Sequence, residues 1–397
     1  MTPPPEGRAS AGPAHRLPSV ADLRLAGRRV FIRADLNVPL RNGAVADDSR
    51  IRASQETLDF VRRAGGRAVL ASHLGRPKAA PDPKFSLAPV ARHMGLALTP
   101  DCVGAGAEAA VARLRDGEAL LLENLRFHAG EEANDPAFVA QLARLCDVYV
   151  NDAFGTAHRA HASTEGLARV APEAAAGFLL LREVEALSLV RDAPAHPYVC
   201  ILGGAKVSDK LAVLESLAAR ADTVAIGGAM AYTFLLAKGE PVGRSLVEPE
   251  LVETAKRLLA GKTELLLPVD HVVAAGPDDA AGARIVERIP DGTMALDIGP
   301  RSRAALAQRI AGAKTVFWNG PLGFFERPPF DAGTRAVAEL LAQSSAYTVV
   351  GGGDSLAAVQ AAGVGARIRH LSTGGGASLE FLEGAALPGV EALRARA

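Results

Sequence analysis

The chain has 397 residues, enough for two or three domains, and its 49% apolar and 22% charged content excludes wholesale disorder. Its 44 basic residues balance 44 acidic ones, so no global field draws it to nucleic acid or an anionic membrane. A basic site, if there is one, has to be local.

The N-terminal residues 1–16 are rich in Pro, Gly and Ala. They lack the apolar core of a signal peptide and read as a disordered extension. Short apolar, β-branched runs then recur at 30–34, 68–71, 119–122, 148–150, 199–202, 223–226, 264–267, 294–297, 315–318, 347–350 and 368–371. Several are continuously apolar, as in parallel strands buried on both faces. Helical patterns lie between them at 54–63, 135–145, 208–219, 249–259, 301–311 and 334–342. The alternation predicts an α/β fold with parallel sheets. Eleven strands are many for one sheet, so two sheets and two cores are expected. A helix at 179–191, followed by Pro194 and Pro197 and a fresh strand, marks the boundary. The reading is therefore two doubly wound, Rossmann-like domains, 17–192 and 193–386, joined by a hinge helix. The uncharged stretch 223–237 is too short, and too broken by glycine, to span a membrane. Cys102, Cys146 and Cys200 are odd in number and widely spaced, which suits a reducing cytoplasm.

Ligands of open α/β sheets bind beyond the carboxyl ends of the strands. In the first half those ends carry Asp35-Leu36-Asn37 with a loop to Arg50, then Ser72-His73-Leu74-Gly75-Arg76, Glu123-Asn124-Leu125-Arg126, and Asn151-Asp152 leading to His158-Arg159-Ala160-His161. Arg50, His73, Arg76, Arg126, His158 and Arg159 could together form one anion site, since guanidinium forks bind carboxylate and phosphate. His158 and His161 lack a third partner with metal-ligand spacing. Asp35 and Asn37 suit substrate hydroxyls, or a plain turn.

The second half is rich in glycine at the same places. Gly203-Gly204-Ala205-Lys206-Val207-Ser208-Asp209-Lys210, Gly227-Gly228, Asn319-Gly320-Pro321, Gly351-Gly352-Gly353-Asp354-Ser355 and Gly374-Gly375-Gly376 each follow a strand. Glycine turns at helix starts expose N–H groups to an anion, and several around one sheet edge point to a polyphosphate. Lys206 and Lys210 share a face if the helix has begun. Asp354 suits magnesium or an N-cap. Neither a P-loop nor a dinucleotide-binding glycine fingerprint is present, which disfavours both of those classes.

Taken in order, these segments, with Asp48-Ser49-Arg50-Ile51, Ala157-His158-Arg159 and Trp318-Asn319-Gly320-Pro321, resemble the phosphoglycerate kinase family. The resemblance runs from about residue 25 to the C-terminus. Leu36 stands where the family usually has Phe, an inward position with no part in the chemistry. The resemblance implies a two-domain hinge enzyme, working as a cytoplasmic monomer. It would move a phosphoryl group reversibly between ATP and 3-phosphoglycerate, giving ADP and 1,3-bisphosphoglycerate. It assigns acidic-substrate binding to Asp35, Asn37, Arg50, His73, Leu74, Gly75, Arg76, Arg126 and Arg159. Nucleotide binding falls to Lys206, Lys210, Asn319, Glu326, Gly352, Gly353, Asp354 and Ser355, with Asp354 serving Mg²⁺. Arg50 and Lys210, helped by Gly374, Gly375 and Gly376, would neutralise the moving phosphoryl, and 387–397 would pack back on the first domain. A two-lobed binding protein without catalysis would not need Arg50, Lys206, Lys210 and Asp354 together. A kinase of acetate or carbamate would not need so many basic groups in its first half.

Overall fold

The computed structural model describes residues 17–396; the extension expected at 1–16 lies outside them. The chain divides into two compact units. One runs to Glu183 and takes in the chain from Ala386 on; the other is Val184–Ala385.

The first unit is built on a six-stranded parallel sheet. Its order is Ala97–Leu98, Ala119–Leu121, Arg67–Ala71, Arg29–Ala34, Val148–Asp152, Glu173–Ala176. The central strand Arg29–Ala34 is buried at five of its six positions, as expected of a strand covered on both faces. Its Val30, Ile32 and Ala34 share a core with Ile51, Leu58 and Val61 of helix Ser49–Arg63 and with Leu70 and Val150. Truncating Ile32, 1% exposed, to Ala would cost about 2–5 kcal/mol.

The second unit repeats the design. Its sheet runs Glu264–Leu266, Thr223–Ile226, Tyr198–Leu202, Thr315–Asn319, Tyr347–Gly351, His370–Ser372, all parallel. Every residue of Tyr198–Leu202 and of Thr315–Asn319 is buried. The sequence reading put 294–297 among the parallel strands. Met294–Ile298 instead joins His271–Ala274 and Arg284–Val286 in a separate antiparallel sheet. Apolar content alone does not reveal strand direction.

Helix Phe178–Asp192 carries the division inside it rather than after it. Its first turn belongs to the first unit: the Phe178 N–H donates to Thr57 Oγ1 (2.9 Å) and its ring packs edge-on against Phe60. Asp152 caps it, Oδ1 accepting from Leu179 N (2.9 Å) and Leu180 N (3.2 Å). Its last turn belongs to the second unit, where Arg191 covers the Phe381 ring and donates to the Phe381 carbonyl. The returning helix Pro388–Arg394 packs within the first unit, Gly389 N–H donating to Ala157 O (2.9 Å). No helix of the described residues is long and apolar enough to cross a membrane.

Candidate active site

In the first unit the loops beyond three adjacent strands are stitched together. Leu36 N–H donates to Ser72 Oγ (2.8 Å), joining the loop after Arg29–Ala34 to the one after Arg67–Ala71. Gly75 is the meeting point: its N–H donates to Asn37 Oδ1 (2.9 Å) and its carbonyl accepts from Arg126 (2.9 Å). Only glycine fits there, because its φ is +62° and a Cβ would stand 2.4 Å from the Phe85 ring. Asn124 holds the third loop, its amide donating to Leu74 O (2.8 Å) and Phe85 O (2.9 Å) while its Oδ1 takes Arg126 N–H (3.0 Å).

These bonds orient the side chains. Asn37 uses its oxygen on Gly75, so its NH₂ is left as a donor. Asp35 is buried and spends both oxygens: Oδ1 accepts Asn37 N–H (3.2 Å) and Oδ2 pairs with Arg50 (2.7 Å). It therefore aims the half-exposed guanidinium of Arg50. His73 is 3% exposed, and Arg126 is 7% exposed. Burial, then Arg33, Arg126, Arg50 and His161, holds the His73 ring well below its ordinary pKa, so it is neutral. His161 is likewise lowered, to about 4, by burial first and the neighbouring arginines next. At 3.9 Å from the fully buried Glu131 it is a neutral neighbour of that carboxyl rather than an ion-pair partner.

The hydrogen bonds thus unite Asp35, Asn37, Arg50, Leu74, Gly75 and Arg126, with His73 in the same loop. Arg159 is exposed, its Nε donating to His158 Nε2 (3.2 Å), and its charge reaches Arg126 and His161. Arg76 is exposed and bound to none of the described residues.

In the second unit, backbone takes the place of side chains. Gly203 lies so close to the loop after Thr315–Asn319 that a Cβ would meet Pro321 O at 2.0 Å. Gly320, at φ +92°, would put a Cβ 2.1 Å from Gly203 O. Gly228 N–H donates to Leu322 O, Met230 N–H to Gly204 O, and Gly320 N–H to Ser355 Oγ (2.6 Å). Four loops, at 203–204, 227–228, 319–322 and 351–355, are locked into one surface. Lys210 lies on it: Nζ donates to Gly203 O (2.5 Å), Asn319 O (3.1 Å) and Asn319 Oδ1 (2.7 Å). All three acceptors are neutral. Burial lowers the Lys210 pKa to about 8, against the opposing pull of Asp354 and Asp209.

Lys206 and Lys210 do not share a helical face. Ser208–Lys210 is a 3₁₀ turn, the α-helix begins at Leu211, and Lys206 is exposed in the loop before both. Glu248, which sequence reasoning passed over, holds that turn by accepting Val207 N–H (2.5 Å), Ser208 N–H (3.1 Å) and the Ser208 hydroxyl. Nothing in the linear pattern links it to a loop forty residues earlier. Asp354 is not an N-cap; Gly352 holds that position, and Asp354 sits in the first turn of helix Gly353–Ala361 with an exposed carboxylate. Ser355 is buried against Gly320, and Glu326 is exposed. Gly374, Gly375 and Gly376 lead into helix Gly376–Glu383, behind the buried Ser372–Ser378 pair (2.6 Å). Cys102, Cys146 and Cys200 are free and buried, and burial raises all three thiols, Cys146 and Cys200 to about 12.

Known proteins share this sequence pattern and fold. The phosphoglycerate kinase family model matches residues 20–385. A phosphoglycerate kinase of Anaeromyxobacter dehalogenans (strain 2CP-C) is 56% identical over 391 residues, covering 95% of this chain and 99% of its own. Phosphoglycerate kinase from Coxiella burnetii superposes with a TM-score of 0.88 at 40% identity, over 96% of this chain and 100% of that one. The enzyme from Pyrococcus horikoshii OT3 gives 0.83 at 33% identity, over 94% and 98%. The chain belongs to the phosphoglycerate kinase family.

Proposed function

We propose that this chain transfers a phosphoryl group between ATP and 3-phosphoglycerate, the acid bound by the first unit and the nucleotide by the second. The observation that carries the reading is the pairing of two unlike anion sites at equivalent sheet ends. One is made of Arg and His side chains, the other of glycine backbone around a buried Lys210.

The attacking group is a carboxylate, already ionised at neutral pH, so no general base is required. The task is positioning and neutralisation of charge on an in-line phosphoryl. Arg50, aimed by Asp35, serves the acceptor side. Lys210 serves the donor side. Held on three neutral oxygens, it exchanges them for phosphate oxygens without leaving a buried carboxylate behind. Asn37 donates to the acid through its NH₂, and Arg76 and Arg159, exposed beside the buried cluster, take its phosphate. Asn319, Gly352, Gly353 and Ser355 shape the phosphate loop, Glu326 accepts from ribose hydroxyls, and Gly374, Gly375 and Gly376 supply N–H groups. Asp354 fits a magnesium role, because its exposed carboxylate hydrogen-bonds to none of the described residues and stands near Lys210. Magnesium, when bound with the nucleotide, offsets charge on the β- and γ-phosphates.

Bringing the two ligands into line with water excluded calls for closure about the hinge helix. Small-angle scattering with both substrates would show a smaller radius of gyration; an unchanged one counts against closure. We read the protein as a monomer of a reducing, cytoplasmic compartment; the three unpaired, buried thiols support the compartment.

A coupled assay tests the reaction. Protein, ATP and 3-phosphoglycerate are mixed with glyceraldehyde-3-phosphate dehydrogenase and NADH. Turnover should need all three and stop with EDTA. Folded protein that gives none would refute the assignment.

A further inference from the structure

Arg33 is the one residue in this neighbourhood whose type the site chemistry does not explain. It lies in the central strand, paired in register with Ala71 and Asn151, and is 0% exposed. A fully buried guanidinium is rare and needs partners for its donors. Its Nε donates to Ser163 Oγ (2.7 Å), one terminal nitrogen donates to Ala34 O, and the other stands 3.3 Å from His73 Nδ1. Its counter-charge is one step away. The Ser163 hydroxyl, which accepts from Arg33, donates to Glu131 Oε1 (2.5 Å), and Glu131 Oε2 takes Ser163 N–H (3.0 Å). Glu131 is also 0% exposed, and Tyr149 fixes Ser163 from the far side through its carbonyl (2.7 Å).

Arginine has five donors and no acceptor. A contact between Arg33 and Nδ1 is therefore a hydrogen bond only if Nδ1 carries a lone pair. In a neutral imidazole the proton must then sit on Nε2. We propose that Arg33, steadied through Ser163 by Glu131, is a positioning residue that locks His73 in the Nε2–H tautomer, so that the ring presents a neutral N–H donor to the acidic substrate. The last step rests on the function proposed above; the tautomer does not.

The same contact discourages protonation of the ring, since a second proton would have to enter at Nδ1, facing Arg33. Arg126 and Arg50 act on the ring from two other elements, both opposing a further positive charge, and burial acts in the same direction; His161, also close, stays neutral. The ring therefore offers a donor that does not switch with pH, whereas an ordinary histidine titrates near neutrality.

The test is long-range ¹H–¹⁵N correlation of the ¹⁵N-histidine-labelled full chain, with His73 assigned by its loss in His73→Gln. The expected spectrum has a pyridine-type Nδ1 and a pyrrole-type Nε2, unchanged from about pH 6 to about pH 8. An Nδ1–H tautomer, an averaged mixture or an imidazolium overturns the proposal. This measurement needs no variant of Arg33 and no turnover. Adding 3-phosphoglycerate should move Nε2, and adding ADP should not. A ring that keeps its tautomer but ignores 3-phosphoglycerate overturns its presentation to the substrate, while the coupled assay judges the reaction separately. Arg33→Met should mix the tautomers and raise KM for 3-phosphoglycerate by about 10-fold or more with a smaller change in kcat. Arg33→Lys should recover part of both. Equal loss of kcat and KM effects in the two variants, with an unaltered tautomer, would make Arg33 purely structural.

Discussion

The two proposed anion sites are built by opposite means. The first buries polar side chains: the charged Arg33, Arg126 and Glu131 and the neutral His73 lie inside it, each held by hydrogen bonds that fix direction. The second removes side chains. Gly203, Gly227, Gly228 and Gly320 bring backbone within distances at which a Cβ could not exist. The difference fits the ligand proposed for each. A small acid with few atoms is identified by forks and rings at set angles. A polyphosphate repeats one chemical group, so a surface of N–H groups and one ammonium suffices. Mutation should therefore act differently on the two sides: by loss of a contact in the first, by gain of an atom in the second.

The largest effect is expected where both strategies end on the moving phosphoryl. Lys210→Ala and Arg50→Ala should each lower kcat by about 100-fold or more, by analogy with loss of one transition-state donor. Steady-state kinetics retaining over a tenth of wild-type kcat would remove that residue from the role. Next comes Gly320→Ala. Its φ of +92° costs about 1–3 kcal/mol for a non-glycine residue, before the contact with Gly203 O is counted. Denaturant unfolding should register that loss, and nucleotide affinity should fall with it. A variant as stable as wild type would show that the loops are less tightly interlocked than their distances imply.

Arg126→Ala should raise KM for 3-phosphoglycerate by about 10-fold or more and leave KM for ATP nearly unchanged, since it frees Gly75 O and loosens the loop. A smaller effect comes from pH. Burial places the Lys210 pKa at about 8, below its ordinary value, so the ammonium is lost as pH rises through about 8. The kcat/KM for ATP should decline above that pH, and Lys210→Arg, which stays charged, should abolish the decline. A flat profile for the wild type would contradict it. The smallest effect belongs to Glu248→Gln. Its cap keeps one acceptor oxygen, so nucleotide affinity should shift only a few fold.

Much of this was legible in the residues. The strand runs are continuously apolar because both faces are covered, and Thr223–Ile226 appears with the bounds that pattern sets. The candidate loops stand out because Arg, His and Gly recur where α/β ligands bind. What escaped was whatever depends on pairing across distance. The two-residue strand Ala97–Leu98 is too short for a period, and Glu173–Ala176 has no β-branched residue. Met294–Ile298 reads as one more apolar run, with nothing local to say that it pairs antiparallel with His271–Ala274, a strand the pattern passed over. Arg33 sits inside a strand, so a search confined to strand ends passes it by. Glu131 and Ser163 are ordinary residues until the fold sets them side by side.

The division of labour is tested most directly by calorimetric titration of wild type, Arg126→Ala and Lys210→Ala with 3-phosphoglycerate and with Mg-ADP, each ligand alone. The account predicts a crossed result. Arg126→Ala should weaken 3-phosphoglycerate by about 10-fold or more and leave Mg-ADP within about twofold; Lys210→Ala should do the reverse. Both variants weakening both ligands, or either variant weakening only the ligand assigned to the other unit, would contradict it.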